Sequence, residues 1–138
     1  MDDGRHAGWV HAVILILEDD ELAGEGLALL VRDAGQDAVI FKSLAAAHAS
    51  GASGMRITAI ISDFDLEQGQ NGVVAAQELR AAREPVPPVL IVTGSRHRAV
   101  EAAARAAGFA MLPKPASPVR LRRWLEQNAP PKTLAPLS

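Results

Sequence analysis

The sequence predicts an α/β fold in which five parallel strands form one sheet and helices cover both of its faces. Short apolar runs rich in Val, Ile and Leu alternate with stretches of helical pattern along the chain. Such runs are typical of strands that are buried on both faces. A chain of 138 residues is long enough for one domain with one core. Alternating strands and helices with right-handed crossovers give a three-layer sandwich.

Each predicted strand is a short run bounded by polar residues, glycine or proline. The five runs cover residues 13–17, 38–41, 57–62, 89–92 and 109–112. The strand order 2-1-3-4-5 of flavodoxin-like folds suits this length, and it places the first strand between the second and the third.

Five helices are predicted between and after these strands, with bounds 21–34, 44–52, 73–83, 95–107 and 117–128. Asp20 is a candidate N-cap for the first helix, and Gly35 follows its end. Ser95 is the candidate cap of the fourth helix, which stops at Gly108. Ser117 followed by proline is a strong start signal for the fifth helix.

Composition excludes several classes of protein. Without cysteine there is neither a disulfide framework nor a thiolate metal site. A net charge of −2 argues against nucleic-acid binding, which needs a basic surface. No apolar stretch approaches the roughly 20 residues that a membrane span needs, and the opening residues lack the features of a signal peptide. We therefore expect a cytoplasmic domain over residues 1–128, with its core from about residue 12, and a flexible proline-rich tail over 129–138.

Chemically active residues follow four of the predicted strands. The acidic run Glu18-Asp19-Asp20 follows the first, Asp63 the third, Thr93 the fourth and Lys114 the fifth. The carboxyl ends of parallel strands share one edge, where α/β proteins place their sites. Carboxylates gathered there repel one another unless a cation lies between them, and Mg²⁺ prefers such oxygen ligands. Taken singly, each residue could be a helix cap, a strand end or a solvated charge, but their order along the chain favours one site.

Lys114 adds to this argument because the chain has only 3 lysines among its 14 cationic Lys and Arg residues. It stands between Pro113 and Pro115. A lysine at such a position indicates a need for a compact ammonium that reaches a phosphate or a carboxylate.

The series Glu18-Asp19, Asp63, Thr93-Gly94 and Lys114-Pro115 resembles the receiver domain of two-component response regulators, over about residues 13–128. The resemblance implies that Asp63 accepts a phosphoryl group from a sensor histidine kinase or a histidine phosphotransfer protein. Thr93 and Lys114 would contact that group. Magnesium would be bound by the carboxylates of Asp19 and Asp63, by Glu18 through water, and by the backbone carbonyl of Asp65.

The resemblance also implies how the signal is read and ended. Asp65 and Ser95 would tune the lifetime of the phosphoryl group, and the peptide bond before Pro115 would be cis. The output surface would be the fourth helix, fifth strand and fifth helix, which could also form a homodimer. Thr93 and residue 111 would act as the switch. Here, however, Met111 replaces the usual aromatic ring.

Two further departures concern the loop after Asp63, where Glu67 replaces a common proline and Gly72 comes one residue late. This loop and the residues around Lys114 resemble receivers attached to hybrid sensor histidine kinases. One alternative is a phosphatase of the haloacid-dehalogenase type that uses Asp63 and Asp65, but that motif normally ends a first strand. Another is a flavodoxin-like cofactor binder, whose phosphate the acidic residues after the first strand would repel.

Overall fold

The computed structural model describes residues 12–66, 69–81, 83–94 and 98–129. Its strands and helices alternate as the sequence predicts. In chain order they are β1 (Ala12–Leu17), α1 (Glu21–Asp33), β2 (Ala38–Phe41), α2 (Leu44–Ala49), β3 (Arg56–Asp63), α3 (Gly72–Arg80), β4 (Val89–Thr93), α4 (Arg98–Ala106), β5 (Ala110–Pro113) and α5 (Pro118–Asn128). A single 3-10 turn at Ala52–Gly54 lies between α2 and β3.

All five strands are parallel and lie in the order β2-β1-β3-β4-β5, which confirms the predicted topology. The pairing register aligns the strand ends: Leu17 lies opposite Ser62, Asp63 opposite Val92, and Thr93 opposite Pro113. The residues that follow β1, β3, β4 and β5 are therefore brought to one edge of the sheet.

Side chains alternate between the two faces of the sheet, and each face has its own core. On one face Ile14 and Ile16 pack with residues of α1 and α5, including Val31 and Leu121. On the other face a second cluster joins β1, β3 and β4 to α3 and to the start of β5. Aliphatic side chains dominate both cores, as the low aromatic content of 4% requires.

Capping explains where several helices begin and end. Gly35 and Gly108 have φ values of +87° and +77°, and each follows a helix whose last carbonyls accept hydrogen bonds from the next amides, as in a Schellman motif. Ser117 caps α5 through its hydroxyl, which accepts from the Arg120 amide. Asp20 occupies the predicted N-cap position of α1, but its side chain makes no capping hydrogen bond.

The predicted bounds of several elements shift by a few residues. α2 ends at Ala49 rather than near residue 52, because Gly51 turns the chain with a φ of +79°. α3 begins at Gly72 and ends at Arg80, and β5 begins one residue later than predicted. Ala129, placed by the sequence in the tail, is buried and donates to the Leu125 carbonyl.

Some predicted features lie outside the described residues: the Ser95 cap, Glu67, and the segments 1–11 and 130–138. Among the described helices, none is long and apolar enough to cross a bilayer.

Candidate functional site

Polar side chains are buried at the carboxyl edge of the sheet, where the sequence places the site. Glu18 is 1% exposed, Asp63 5% and Thr93 3%. Burying charged groups costs free energy unless they are paired or hydrogen-bonded. Their concentration at one edge of an otherwise aliphatic fold marks this edge as the site.

Lys114 joins the two buried carboxylates. Its ammonium lies 2.8 Å from Oε1 of Glu18 and 3.2 Å from Oδ1 of Asp63. Its backbone amide donates to the Thr93 carbonyl at 2.9 Å, which ties the end of β5 to the end of β4. The second carboxylate oxygen of Glu18 accepts from the Asp20 amide at 3.2 Å. The sequence predicts that Lys114 faces the acceptor, but it gives no sign that Glu18 is its nearer partner.

Electrostatics at Asp63 reflect this crowding. Burial, together with the nearby charge of Glu18, raises the pKa of Asp63 to about 6, although Lys114 opposes the rise. Burial of Lys114 lowers its pKa, but the hydrogen bond to Glu18 and the charges of both carboxylates outweigh this, so the pKa of Lys114 is raised overall. The lysine is therefore held as a cation beside carboxylates whose negative charge exceeds its own.

The same edge offers oxygen ligands for a metal ion. Carboxylate oxygens of Glu18, Asp19 and Asp63 all lie within 4.8 Å of one another. Asp19 is more exposed than the other two, so water can reach the cluster from its side. A hard cation that keeps several waters, such as Mg²⁺, suits a small set of carboxylates open to solvent. The donor set therefore fits magnesium.

The loop between β3 and α3 carries other predicted residues. Asp65 is exposed, and its backbone pairs with that of Asn71 across the loop. Nothing in this pairing tests whether the Asp65 carbonyl binds a metal, so that role stays a prediction. Ser95 lies outside the described residues.

The two residues predicted to act as a switch and the predicted cis peptide complete the set. Thr93 ends β4, and Met111 pairs with Ile91 in the interior of β5, where it packs against the core on the α3 face. The Lys114–Pro115 peptide bond is cis, and so is Glu84–Pro85.

Sequence reasoning missed two residues near Asp63, at the contact between the end of β3 and the start of α3. Ser62 is fully buried, and its hydroxyl lies within hydrogen-bond distance of the carbonyls of Asp63 and Gly72. Asn71 caps α3 by accepting from the amides of Val73 and Val74. An asparagine directly before a glycine and an apolar helical run could have signalled this cap.

Comparison with known proteins decides the family. A family model described as the response regulator receiver domain matches residues 14–126 of the chain. The chain belongs to this family. A search of curated proteins finds no match.

Similar solved structures support the same fold. A CheY-like receiver domain protein from Methanospirillum hungatei JF-1 has a TM-score of 0.73 and 19% identity, with 86% of this chain and 93% of that chain covered. A putative response regulator from Chloroflexus aurantiacus J-10-fl has a TM-score of 0.71 and 25% identity, with 86% and 97% covered. The chemotaxis protein CheY4 from Vibrio cholerae has a TM-score of 0.72 and 22% identity, with 87% and 99% covered.

Membership sets the coarse function. Receiver domains are signalling modules that bind Mg²⁺ at an acidic pocket and interact with histidine kinases or phosphotransfer proteins. The family match also argues against the haloacid-dehalogenase alternative, in keeping with the position of Asp63 at the end of β3 rather than β1.

Proposed function

We propose that this domain accepts a phosphoryl group on Asp63 from a phosphohistidine, with Mg²⁺ bound at the adjacent carboxylates. The observation that carries the proposal is the position of the Lys114 ammonium, within 3.2 Å of both Glu18 and Asp63 in a cluster with excess negative charge. A partly buried cation so placed can stabilise the negative charge that develops on an oxygen during phosphoryl transfer.

The residues divide the chemistry between them. A carboxylate oxygen of Asp63 attacks the phosphorus in line, a P–O bond forms, and the P–N bond to the donor imidazole breaks. Lys114 neutralises charge on the phosphoryl oxygens, and the Thr93 hydroxyl donates a hydrogen bond to one of them. Asp19, Asp63 and the Asp65 carbonyl, with Glu18 through water, would hold Mg²⁺, which would supply further positive charge at the phosphoryl oxygens.

Hydrolysis of the acyl phosphate by water ends the signal, and Asp65 and Ser95 tune its rate. The domain acts as a cytoplasmic signalling module rather than as an enzyme for small phosphate esters. The phosphorylated form presents a changed surface of α4, β5 and α5 to its target or to a second copy of the chain.

Labelling of Asp63 tests the proposal. With Mg²⁺, acetyl phosphate or an autophosphorylated histidine kinase should add one phosphoryl group to the wild type and none to Asp63→Asn, measured by intact mass. Asp19→Asn should slow the labelling, and excess chelator should stop it. Undiminished labelling of Asp63→Asn would refute the acceptor, and an unchanged rate in chelator would refute the metal requirement.

A groove beside the site supports docking of a protein donor. It has a volume of about 490 Å³ and shares Glu18 and Lys114 with the site. Small and aliphatic residues line the rest of it: Ala23, Gly26, Leu27, Leu30, Val92, Pro115 and Ala116. On the same helix Leu22 and Leu29 are 83% and 64% exposed. A donor that brings its phosphohistidine to Asp63 covers this groove and these leucines.

Filling the groove separates docking from chemistry. A Cβ at Gly26 would meet no atom within 4 Å, so Gly26→Leu is expected to fold and to project into the groove. Transfer from a histidine kinase should fall by about tenfold or more, because about 1.4 kcal/mol of lost contact is tenfold in affinity. Labelling by acetyl phosphate should be unchanged. Gly26→Ala is the matched control, since it removes the helical glycine without filling the groove. Equal kinase transfer to both variants would rule out docking here.

A further inference from the structure

The end of β3 and the first turn of α3 are in unusually close contact, directly behind Asp63. A Cβ built at Gly72 would overlap with the carbonyl oxygen of Asp63 and would lie 2.7 Å from the Ser62 hydroxyl. Only glycine allows the start of α3 to approach the acceptor backbone this closely.

Ser62 lies in this contact and bonds to both sides of it. Its hydroxyl is 3.1 Å from the Asp63 carbonyl and 3.2 Å from the Gly72 carbonyl, and the residue is fully buried. The side chain faces α3, whereas the Asp63 side chain faces Lys114. Ser62 can therefore act on the acceptor only through the backbone.

Backbone hydrogen bonds extend this contact into the loop. The Phe64 amide donates to Val92 of β4 at 3.0 Å, and the Gly72 amide donates to the Phe64 carbonyl at 2.7 Å. The Leu66 amide donates to Gln70 at 3.0 Å, which closes the described parts of the loop around Asp65. Together with the Ser62–Gly72 contact, the bonds of Phe64 form one hydrogen-bonded joint between β3 and α3. The acceptor Asp63 and the proposed metal-binding carbonyl of Asp65 lie on either side of Phe64.

We propose that Ser62 is a positioning residue that locks the backbone of Asp63 and the following loop against α3, and so sets the geometry of the acceptor and its magnesium site. This inference rests on the proposed function for its consequence in metal binding and phosphorylation. The hydroxyl can donate its one hydrogen to either of these carbonyls, and without it both lose this donor and the joint loosens.

Removal of the hydroxyl tests the proposal. Ser62→Ala should weaken Mg²⁺ binding, titrated with MgCl₂ and followed by amide NMR shifts, by about tenfold, as is typical when support behind metal ligands is lost. Labelling by acetyl phosphate at subsaturating Mg²⁺ should slow by a similar factor. Hydrogen exchange should quicken at the amides of Phe64, Leu66 and Gly72.

Thr58 provides a matched control on the same strand. Its hydroxyl donates to the Val13 carbonyl at 3.3 Å near the opposite end of β3, so Thr58→Val also deletes one hydroxyl bond to a carbonyl. This variant should leave Mg²⁺ affinity, labelling and the three amides unchanged. A purely structural role for Ser62 would make the two variants alike, and that result would overturn the proposal.

The hydrogen-exchange measurement also separates the two levels of inference. If the wild type neither binds Mg²⁺ nor accepts phosphate, the proposed function fails. Faster exchange confined to the joint in Ser62→Ala would still support the lock, and unchanged exchange there would refute it.

Discussion

The two edges of the sheet each hold a partly buried cation, and the two cations have opposite surroundings. At the carboxyl edge Lys114 contacts the carboxylates of Glu18 and Asp63. At the amino edge Arg83 donates to three neutral carbonyls: Leu79 at 3.0 Å, Met55 at 2.9 Å and Ala52 at 2.7 Å. Arg83 thereby joins the end of α3 to the 3-10 turn and the residue before β3.

The difference distinguishes a cation that stabilises the fold from one that is suited to chemistry. The planar guanidinium of Arg83 donates to fixed carbonyls. Such bonds satisfy carbonyls at the ends of secondary structure elements. Lys114 instead lies between two carboxylates, and burial, together with the charge of Glu18 that Lys114 only partly offsets, raises the pKa of Asp63 to about 6. We infer that excess charge around a buried group, rather than burial alone, identifies the functional edge.

Loss of the lysine should give the largest effect on chemistry. Lys114→Ala is expected to slow labelling by acetyl phosphate by about 100-fold, the usual consequence of removing one group that stabilises transition-state charge. Labelling is measured by intact mass at saturating Mg²⁺, with circular dichroism as a check on folding. If a folded Lys114→Ala protein is labelled at the wild-type rate, Lys114 does not take part in the chemistry, and the contrast with Arg83 is wrong.

Loss of the arginine should give the opposite pattern. Arg83→Ala removes three hydrogen bonds from a charged donor and should lower the free energy of unfolding by about 2–3 kcal/mol. Its labelling rate should match the wild type at a temperature where both are folded. Urea denaturation measures the first quantity. Arg56, an exposed residue at the start of β3, supplies the control, because Arg56→Ala should cost much less.

Sequence patterns were sufficient for the topology and for the acidic, hydroxyl and lysine groups at the carboxyl edge, because both depend on local runs and strand ends. Sequence patterns were insufficient for contacts that depend on how the helices pack on the sheet. The Ser62–Gly72 contact requires the start of α3 to meet β3, and the Glu18–Lys114 pair spans residues far apart in sequence. Asp20 shows the converse limit, since a residue of the right type at an N-cap makes no capping bond.

The pKa of Asp63, raised by burial and by the charge of Glu18, should also appear as a pH dependence of stability without Mg²⁺. The pKa of Asp63 is about 6 in the folded chain against 3.8 for an unperturbed carboxyl, so between these values the folded state binds the extra proton. The free energy of unfolding therefore receives a contribution that falls as pH rises from about 4 to 6, by at most about 3 kcal/mol at 1.36 kcal/mol per pKa unit.

Asp63→Asn isolates this contribution. Urea unfolding of both proteins from pH 4 to pH 7 in chelator should show the variant gaining stability relative to the wild type as pH rises. Asp33→Asn, which changes an exposed carboxylate, is the control. A wild-type-minus-Asp63→Asn difference that is constant across this range would mean that the pKa of Asp63 is not raised in the folded chain.

The smallest expected effect lies between the two edges, at Met111. Receivers usually carry at this position an aromatic ring that moves with the residue matching Thr93, but a thioether is a flexible filler without a ring's two discrete positions. Met111 lies in the interior of β5 against the core, two residues before the edge, whereas Thr93 is at the edge itself. We therefore expect the beryllofluoride-bound form to differ from the free protein at the amides of Thr93, Gly94 and the first turn of α4. The Met111 methyl should shift little.

Met55, partly buried in the same core at the amino edge, gives the baseline methyl shift. A Met111 shift well above that of Met55 and comparable to the change at Thr93 would show that the switch reaches into the core without its aromatic member.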